Sequence, residues 1–256
     1  MSDKQTTPPL ISEMSVIITG ATRGIGAGIA TELGSRGAKL TLGYLEKDEQ
    51  ANALKQELES KGVEVILYKG DLSSKNAARG IVEVASSAYD RVDALVGNLG
   101  PFLWRSIAEM SDDDWDRMLS VNLTAQFRLV KELLPGMRDR GSGNFVFIGG
   151  IGSGQVSGYP RASAYNAAKV GLAVFMKSLA VEEGPGGIRA NMIAPGIIDN
   201  GEYSDEFKRK IVSEIPLGLV GQPADIAHAV AWLLSPESKY VTGTVIDVSG
   251  GYHLTV

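Results

Sequence analysis

The sequence predicts a single α/β domain in which about seven parallel strands form a doubly wound sheet with helices on both faces. Two observations lead to this prediction. Short runs rich in β-branched residues alternate with longer helical stretches along the chain, and strands separated by helices pair in parallel. The length of 256 residues and the hydrophobic content of 44% also suit one large domain with an ordinary core. The ligand crevice of such a sheet lies at the carboxyl ends of its strands.

The predicted elements follow one another in a regular order. Strands are predicted at SVIITG, KLTLGY, VEVILYKG, DALVGN, NFVFIGG, IRANMIAPG and VIDVSGG. Helices are predicted between them at GIGAGIATELGSRG, DEQANALKQELESKG and KNAARGIVEVASSAY, and over residues 112–137, 164–183 and 223–234. The acidic run after Ser111 is better explained by a helix N-cap and first-turn carboxylates than by a cation site. Residues 1–13, polar and with two prolines, are expected to be a flexible N-terminal segment of the single domain 1–256.

Composition excludes several classes of function. The chain has no cysteine, which rules out disulfides, thiolate metal sites and cysteine nucleophiles. No apolar run approaches the roughly 18 residues of a membrane span, and the N-terminus lacks a signal-peptide pattern. A net charge of −5, with the basic residues scattered, does not indicate a surface that binds nucleic acid. The two histidines, His228 and His253, do not suggest a metal site. We therefore expect a cytoplasmic protein that binds a small molecule, and no metal, nucleic acid or membrane.

A glycine-rich turn, TGATRGIG at residues 19–26, follows the first predicted strand and opens directly into a helix. Glycines let the backbone approach a pyrophosphate, whose charge the N–H groups and positive dipole end of the helix then stabilise. The spacing G-x-G-x-x-G is not met, however, and a tight strand–helix connection needs glycine anyway. Taken alone, the turn is therefore explained equally well as a phosphate site or as an ordinary connection.

Several separated segments, in the right order, resemble those of the short-chain dehydrogenase/reductase family, and most closely its 3-oxoacyl-carrier-protein reductases. The likeness covers residues 15–251. It implies a Rossmann-type fold that binds a nicotinamide dinucleotide. The matching segments are the turn at 19–26, GDL at 70–72, GNLG at 97–100, Asn122, YNAAK at 165–169, APG at 194–196, GQPADIA at 221–227, VTG at 241–243 and the glycines at 250 and 251. The residues that the resemblance implies as cofactor contacts are Gly20, Thr22, Arg23, Gly24, Ile25, Gly26, Tyr44, Asp71, Leu72, Asn98, Gly100, Ile148, Tyr165, Lys169, Pro195, Gly196 and Ile198.

The choice between NAD and NADP depends on charge after the second strand. An acidic residue there bonds the ribose hydroxyl of NAD and would repel the 2′-phosphate of NADP. Here the strand ends at Tyr44 with no acid until Glu46, and Arg23 stands where many NADP-preferring relatives carry a basic residue. NADP(H) is the predicted cofactor. An exposed loop charge is the alternative for Arg23, and it is the preferred explanation of Lys47, the other nearby cation.

Tyr165 and Lys169 lie four positions apart, which places both side chains on one face of a helix. A free tyrosine has a pKa of about 10, and a nearby ammonium lowers it by favouring the phenolate. A tyrosine and a lysine at this spacing are common by chance. In a chain that also contains the cofactor-binding segments, the pair predicts a catalytic role. By the resemblance, Tyr165 protonates the substrate oxygen, Lys169 holds the nicotinamide ribose and tunes Tyr165, and Asn122 supports a water relay.

The chain departs from the family pattern at the serine that bonds the substrate carbonyl. Counting forward from the fifth strand places it at Gly150, and counting back from Tyr165 places it at Gly152. The loop is about two residues longer than the pattern expects. Ser153 is the nearest hydroxyl, and we predict it as the substitute donor, with a backbone N–H or water as alternatives.

These observations predict an NADPH-dependent reductase of a carbonyl, either a 3-oxoacyl thioester or another small ketone. Residues 197–216 are expected to form a partly apolar lid over the substrate. The alternative from another class is a dinucleotide-binding protein with attenuated or no catalysis, acting as a sensor or partner subunit; a methyltransferase is disfavoured by the turn and the Tyr165–Lys169 pair. By analogy with relatives, a homotetramer or homodimer is expected to pack through residues that include Trp115, Met118, Phe127, Phe175 and Met176.

Overall fold

The computed structural model describes residues 9–156, 158–201 and 203–252. Its centre is one sheet of seven parallel strands in the order β3-β2-β1-β4-β5-β6-β7, so the predicted doubly wound, Rossmann-type fold is confirmed. The strands are β1 Ser15–Thr19, β2 Lys39–Tyr44, β3 Val65–Lys69, β4 Ala94–Gly97, β5 Gly143–Ile148, β6 Ile188–Pro195 and β7 Val245–Val248.

The helices cover both faces of this sheet. Successive strand residues point to opposite faces: Val16 and Ile18 belong to the apolar cluster under α1 and α8, whereas Ile17 belongs to the cluster under α3, α5 and α6. The helices are α1 Gly24–Ser35, α2 Asp48–Ser60, α3 Lys75–Tyr89, α4 Asp112–Leu119, α5 Ala125–Arg140, α6 Ser163–Glu183, α7 Asp205–Val212 and α8 Pro223–Leu234.

The strand order reverses at β1, which pairs with β2 on one side and β4 on the other. Ligands of doubly wound sheets bind at such a reversal, outside the carboxyl ends of the strands. Thr19, at the end of β1, is bonded to the loop after β4. Its Oγ1 accepts hydrogen bonds from the N–H groups of Asn98 at 3.0 Å and Leu99 at 3.2 Å. The turn after β1 and the loop after β4 are thereby held together.

Three regions differ in detail from the sequence expectation. The helix predicted over 112–137 is two helices joined by a π-helical turn, Ser120–Thr124, and such turns are often found at functional sites. The predicted lid contains the short helix α7, whose N-cap Ser204 accepts a bond from the N–H of Phe207. In the predicted flexible segment, Ile11–Glu13 form a 3-10 turn and Ile11 is buried, while residues 1–8 lie outside the described residues.

Within the described ranges, none of the helices combines the length and the apolarity that crossing a membrane requires. The same ranges contain no group of three or more His, Asp or Glu side chains arranged to hold a metal ion. His228 lies on α8 with its Nε2 3.7 Å from a carboxylate oxygen of Glu32, and His253 lies outside the described residues.

Candidate active site

The turn after β1 depends on glycine at three positions. Gly20 and Gly24 have φ angles of +60° and +51°, in the left-handed region that glycine tolerates best. A Cβ on Gly26 would lie 2.2 Å from the carbonyl oxygen of Gly20 and 2.7 Å from Nδ2 of Asn98. The start of α1 therefore packs against the turn with its backbone, which leaves the first N–H groups of the helix at the carboxyl end of the sheet.

Asn98 ties this turn to the end of β4. Its side-chain Nδ2 donates to the carbonyl oxygens of Thr19 at 3.1 Å and Gly20 at 3.0 Å. The predicted cofactor residues around the turn, Thr22, Arg23 and Ile25, are at least partly accessible, and Arg23 is exposed at the N-cap of α1. The Cβ position of Gly24 lies 3.4 Å from Cβ of Asn200, so the segment after β6 reaches over the turn.

The end of β2 carries an acid that the sequence expectation missed. Asp48 begins α2 and bonds the side chain of Tyr44, and its carboxylate also accepts from Nζ of Lys69 at 2.6 Å. Hydrogen bonds from Lys69 and then Tyr44 lower the pKa of Asp48. The sequence analysis considered only the order of residues after Tyr44, and it did not foresee that the turn between β2 and α2 brings Asp48 back to the strand. The carboxylate is nevertheless paired with a cation.

The other predicted cofactor residues line the carboxyl ends of β3, β5 and β6. Asp71 is exposed and accepts bonds from the N–H and hydroxyl of Ser73, while Leu72 is buried.

Gly196 follows β6 and donates its N–H to the carbonyl oxygen of Val248, and a Cβ there would lie 2.6 Å from Cα of Ser249. The other three positions share the same edge: Ile148 ends β5, Pro195 ends β6, and the buried Ile198 forms a bridge with Gly221.

Lys169 is buried at the base of the site, on the same helix, α6, as Tyr165. Its Nζ donates to the carbonyl oxygens of Ile148 at 2.8 Å and Leu99 at 3.3 Å, and it lies 5.7 Å from the centre of the Tyr165 ring. Burial without a carboxylate penalises the ammonium form and lowers the pKa of Lys169 to about 7. The lysine can therefore gain or lose a proton near neutral pH.

Burial, with a smaller contribution from the nearby phenol of Tyr203, raises the pKa of Tyr165 to about 12. The lowering considered in the sequence analysis requires both Lys169 and the cationic nicotinamide close to Tyr165. In the protein alone, desolvation of the phenolate has the largest effect on this pKa. The protein's own groups therefore keep Tyr165 protonated at neutral pH.

Asn122 lies fully buried in the π-helical turn. Its Nδ2 donates to the carbonyl oxygens of Met118 at 3.1 Å and Pro101 at 3.2 Å. Its Oδ1 is also buried and has no hydrogen-bond partner among the described residues. Gly100 lies between the two polar groups, since a Cβ there would lie 2.7 Å from Oδ1 of Asn122 and 2.8 Å from Nζ of Lys169. A buried acceptor of this kind is the place for a bound water molecule.

Gly150 is the glycine that stands beside Tyr165. A Cβ built on it would lie 2.8 Å from the Tyr165 hydroxyl, so the forward count from the fifth strand gives the position of the absent serine. Ser153 is buried below it, and its Oγ accepts from the N–H of Gly150 and donates to the carbonyl of Gly150, both at 2.7 Å. The hydroxyl hydrogen of Ser153 is thus donated within the loop, which differs from the free substrate donor that the sequence analysis predicted.

A protein-family model described as Enoyl-(Acyl carrier protein) reductase matches residues 20–253. The chain belongs to the short-chain dehydrogenase/reductase family. The 3-oxoacyl-[acyl-carrier-protein] reductase FabG of Haemophilus influenzae is 37% identical to it over 243 residues, which cover 93% of this chain and 98% of that protein. FabG of Staphylococcus aureus is 32% identical over 94% of this chain and 98% of its own length. The crystal structure of gox2181 matches with a TM-score of 0.88 and 27% identity, over 96% of this chain and 99% of that one.

The loop after β4 carries two aromatic residues beside Tyr165 that the sequence analysis did not single out. Phe102 and Trp104 come from this loop, and the ring of Phe102 meets the Tyr165 ring edge-on with centroids 5.1 Å apart. Two aromatic residues within three positions directly after GNLG were visible in the sequence. They carried no periodic pattern, and their position against Tyr165 depends on contacts between distant parts of the chain.

Proposed function

We propose that this chain is a cytoplasmic, NADPH-dependent carbonyl reductase that reduces a 3-oxoacyl thioester or another small ketone, with Tyr165 as the proton donor. The observation that carries the proposal is the position of the Tyr165 hydroxyl, packed against Gly150, on the same helical face as the buried Lys169. The names of the two FabG relatives support the choice of reaction.

The site fits a nicotinamide dinucleotide. The closely packed glycines before α1 let a pyrophosphate approach the N–H groups of that helix, and Gly196 provides a second surface without a side chain. Arg23, exposed at the start of α1, would bond the 2′-phosphate of NADPH, and the Asp48–Lys69 pair reduces the repulsion that an unpaired carboxylate would exert. The bound dinucleotide supplies the hydride.

The chain's own residues would perform the proton transfer. Tyr165 holds its proton at neutral pH and can give it to the oxygen of a ketone in the crevice, which suits the reductive direction. Lys169 would hold the ribose hydroxyls and favour the phenolate once the proton has left. The unpartnered Oδ1 of Asn122 would hold a water molecule through which the proton is replaced.

We assign Ser153 to the support of this arrangement. By bonding both backbone groups of Gly150, it holds the loop against Tyr165, where a misplacement would move the reacting atoms. The structure gives no serine hydroxyl at Gly150 itself, and removing a preorganised oxyanion donor typically costs about 10²–10³ in rate. We therefore expect a slow reductase.

The test is NADPH oxidation measured against a panel of 3-oxoacyl thioesters and simple ketones. An enoyl thioester belongs in the panel because the matching family model describes enoyl reductases. Turnover of a ketone by the wild-type protein supports the proposal. Tight NADPH binding with no turnover of any ketone would contradict it and favour the second candidate, a dinucleotide-binding sensor or partner subunit, which the absent serine supports.

A further inference from the structure

Aromatic side chains form one wall of the site around Tyr165. Phe102 meets the Tyr165 ring at 83°, an edge-to-face arrangement, with centroids 5.1 Å apart. Trp104 lies next to Phe102, with centroids 5.9 Å apart. We call Phe102 and Trp104 the aromatic wall. Both residues belong to the loop between β4 and α4, at the carboxyl edge of the sheet where the substrate of the proposed reductase must approach.

The aromatic wall leaves much of its surface accessible. Phe102 is 58% exposed and Trp104 is 57% exposed. A single exposed apolar side chain is ordinary. Here two large rings contact each other, and Phe102 also contacts the proposed proton donor, so the two rings form a continuous apolar surface beside it. Surfaces of this kind beside polar catalytic groups are typical of small-molecule sites.

The segment after β6 brings a second aromatic pair toward the same place. Tyr203 and Phe207 stack with their centroids 4.7 Å apart. Tyr203 lies close enough to Tyr165 to raise its pKa through their mutual repulsion. Because Phe207 belongs to α7, a substrate beside Tyr165 would lie between the aromatic wall and this pair.

Three cations in and beside these loops are paired with carboxylates. Arg105, next to Trp104, bonds the carboxylate of Asp114. Arg161, before α6, lies 3.3 Å from Glu109, and Lys208 on α7 lies 2.5 Å from Asp199. Each of these three cations has a carboxylate within reach. The surroundings of the aromatic wall therefore favour an uncharged ligand.

We propose that the protein's substrates are uncharged ketones that carry an aromatic ring next to the reacting carbonyl. This inference rests on the proposed carbonyl reductase function. The ring of the substrate would pack on Phe102 and Trp104 while its carbonyl oxygen reaches the hydroxyl of Tyr165. The carbonyl carbon accepts a hydride and the oxygen accepts the Tyr165 proton, so the aryl ketone is reduced to an alcohol as NADPH is oxidised. Ring–ring packing adds stabilisation that a saturated group of the same size lacks.

The test compares acetophenone with cyclohexyl methyl ketone, which has a saturated ring in the same place. The quantity measured is the ratio of kcat/KM for the two ketones in the wild type and in variants, because intrinsic reactivity cancels in that comparison. We expect Phe102→Leu and Trp104→Leu each to lower the acetophenone preference about two- to tenfold. Phe102→Tyr, which keeps a ring, should retain the preference. Trp232→Leu is the matched control, since Trp232 is an exposed aromatic residue on α8, on the other face of the sheet from α6.

The outcomes separate this inference from the function on which it rests. If both ketones are reduced and the ratio is unchanged in Phe102→Leu and Trp104→Leu, the aromatic class is wrong while the reductase function stands. If neither ketone is turned over, the same two compounds are compared by ligand-observed NMR binding to the protein with NADPH present. Weaker acetophenone binding by the two leucine variants, with cyclohexyl methyl ketone unaffected, supports the inference; equal binding of both compounds to all proteins overturns it.

Discussion

The two ends of the crevice are built on different physical principles. At the dinucleotide end, the backbone determines the geometry: a Cβ at Gly26 would lie 2.2 Å from a carbonyl oxygen, so close packing admits no side chain. At the proposed substrate end, the surface is formed by exposed side chains, Phe102 and Trp104, on the loop after β4. Under the proposed function, the comparison suggests a division of roles: the backbone of the first region would determine which cofactor fits, and the side chains of the second would determine which substrate is accepted.

The largest effect is expected from Gly26→Ala. The added methyl group must displace Asn98 or the backbone of the turn, which overpacks the start of α1 at a typical cost of about 1–3 kcal/mol in unfolding free energy. NADPH binding, measured by titration calorimetry, should become undetectable. Gly184→Ala is the matched control, because a Cβ at Gly184 meets nothing within 4 Å. Wild-type NADPH affinity in Gly26→Ala would show that the backbone does not determine this end.

Arg23→Ala should sharpen the account of cofactor choice. A charge-assisted bond to phosphate contributes roughly 1.5–3 kcal/mol. The ratio of NADPH affinity to NADH affinity should therefore be about ten- to a hundredfold smaller in the variant than in the wild type. Asp48→Asn, which removes the paired carboxylate near Tyr44, should strengthen NADPH binding by a smaller factor. The dissociation constants of both cofactors provide the measurement. Equal binding of NADPH and NADH by the wild type would refute the electrostatic argument.

Gly150→Ser tests the substrate end by restoring the family's serine. Since its Cβ would lie 2.8 Å from the Tyr165 hydroxyl, and Tyr165 is packed, the new side chain should push the tyrosine out of position. We expect kcat for ketone reduction to fall by about tenfold, because small misplacements of reacting groups are costly. Gly158→Ser, at a glycine with nothing within 4 Å of its Cβ position, controls for the added hydroxyl. A rise in kcat would mean that the loop adapts and that the absent serine was the limitation.

A pH dependence of stability is expected from Lys169. Its pKa is about 7 in the folded protein against 10.5 as the ordinary value. Between these values the unfolded chain binds more protons, so the unfolding free energy rises with pH, by up to about 1.4 kcal/mol per pH unit. Urea unfolding at pH 7, 8 and 9 should show the wild type gaining stability relative to Lys169→Met. Parallel curves for the two proteins would mean that Lys169 keeps its ordinary pKa.

The parts of the molecule that the sequence predicted depend on local patterns. The strand–helix alternation gave the sheet, and the four-residue spacing placed Tyr165 and Lys169 on one helical face. Features that depend on contacts between distant segments could not be predicted this way. They include the ion pair of Asp48 with Lys69, the choice of Gly150 over Gly152 as the glycine beside Tyr165, and the effect of burial on the pKa of Tyr165.

The central claim, that Tyr165 donates the proton in a carbonyl reduction, is tested most directly by comparing Tyr165→Phe with Ser153→Ala in one ketone reduction assay. General acid catalysis contributes about 10²–10⁴ in rate, so Tyr165→Phe should lose nearly all activity while NADPH binding is retained. Ser153→Ala, which loosens the loop around Gly150, should lose about an order of magnitude. Unimpaired ketone reduction by Tyr165→Phe would contradict the central claim, because another group would then have to donate the proton.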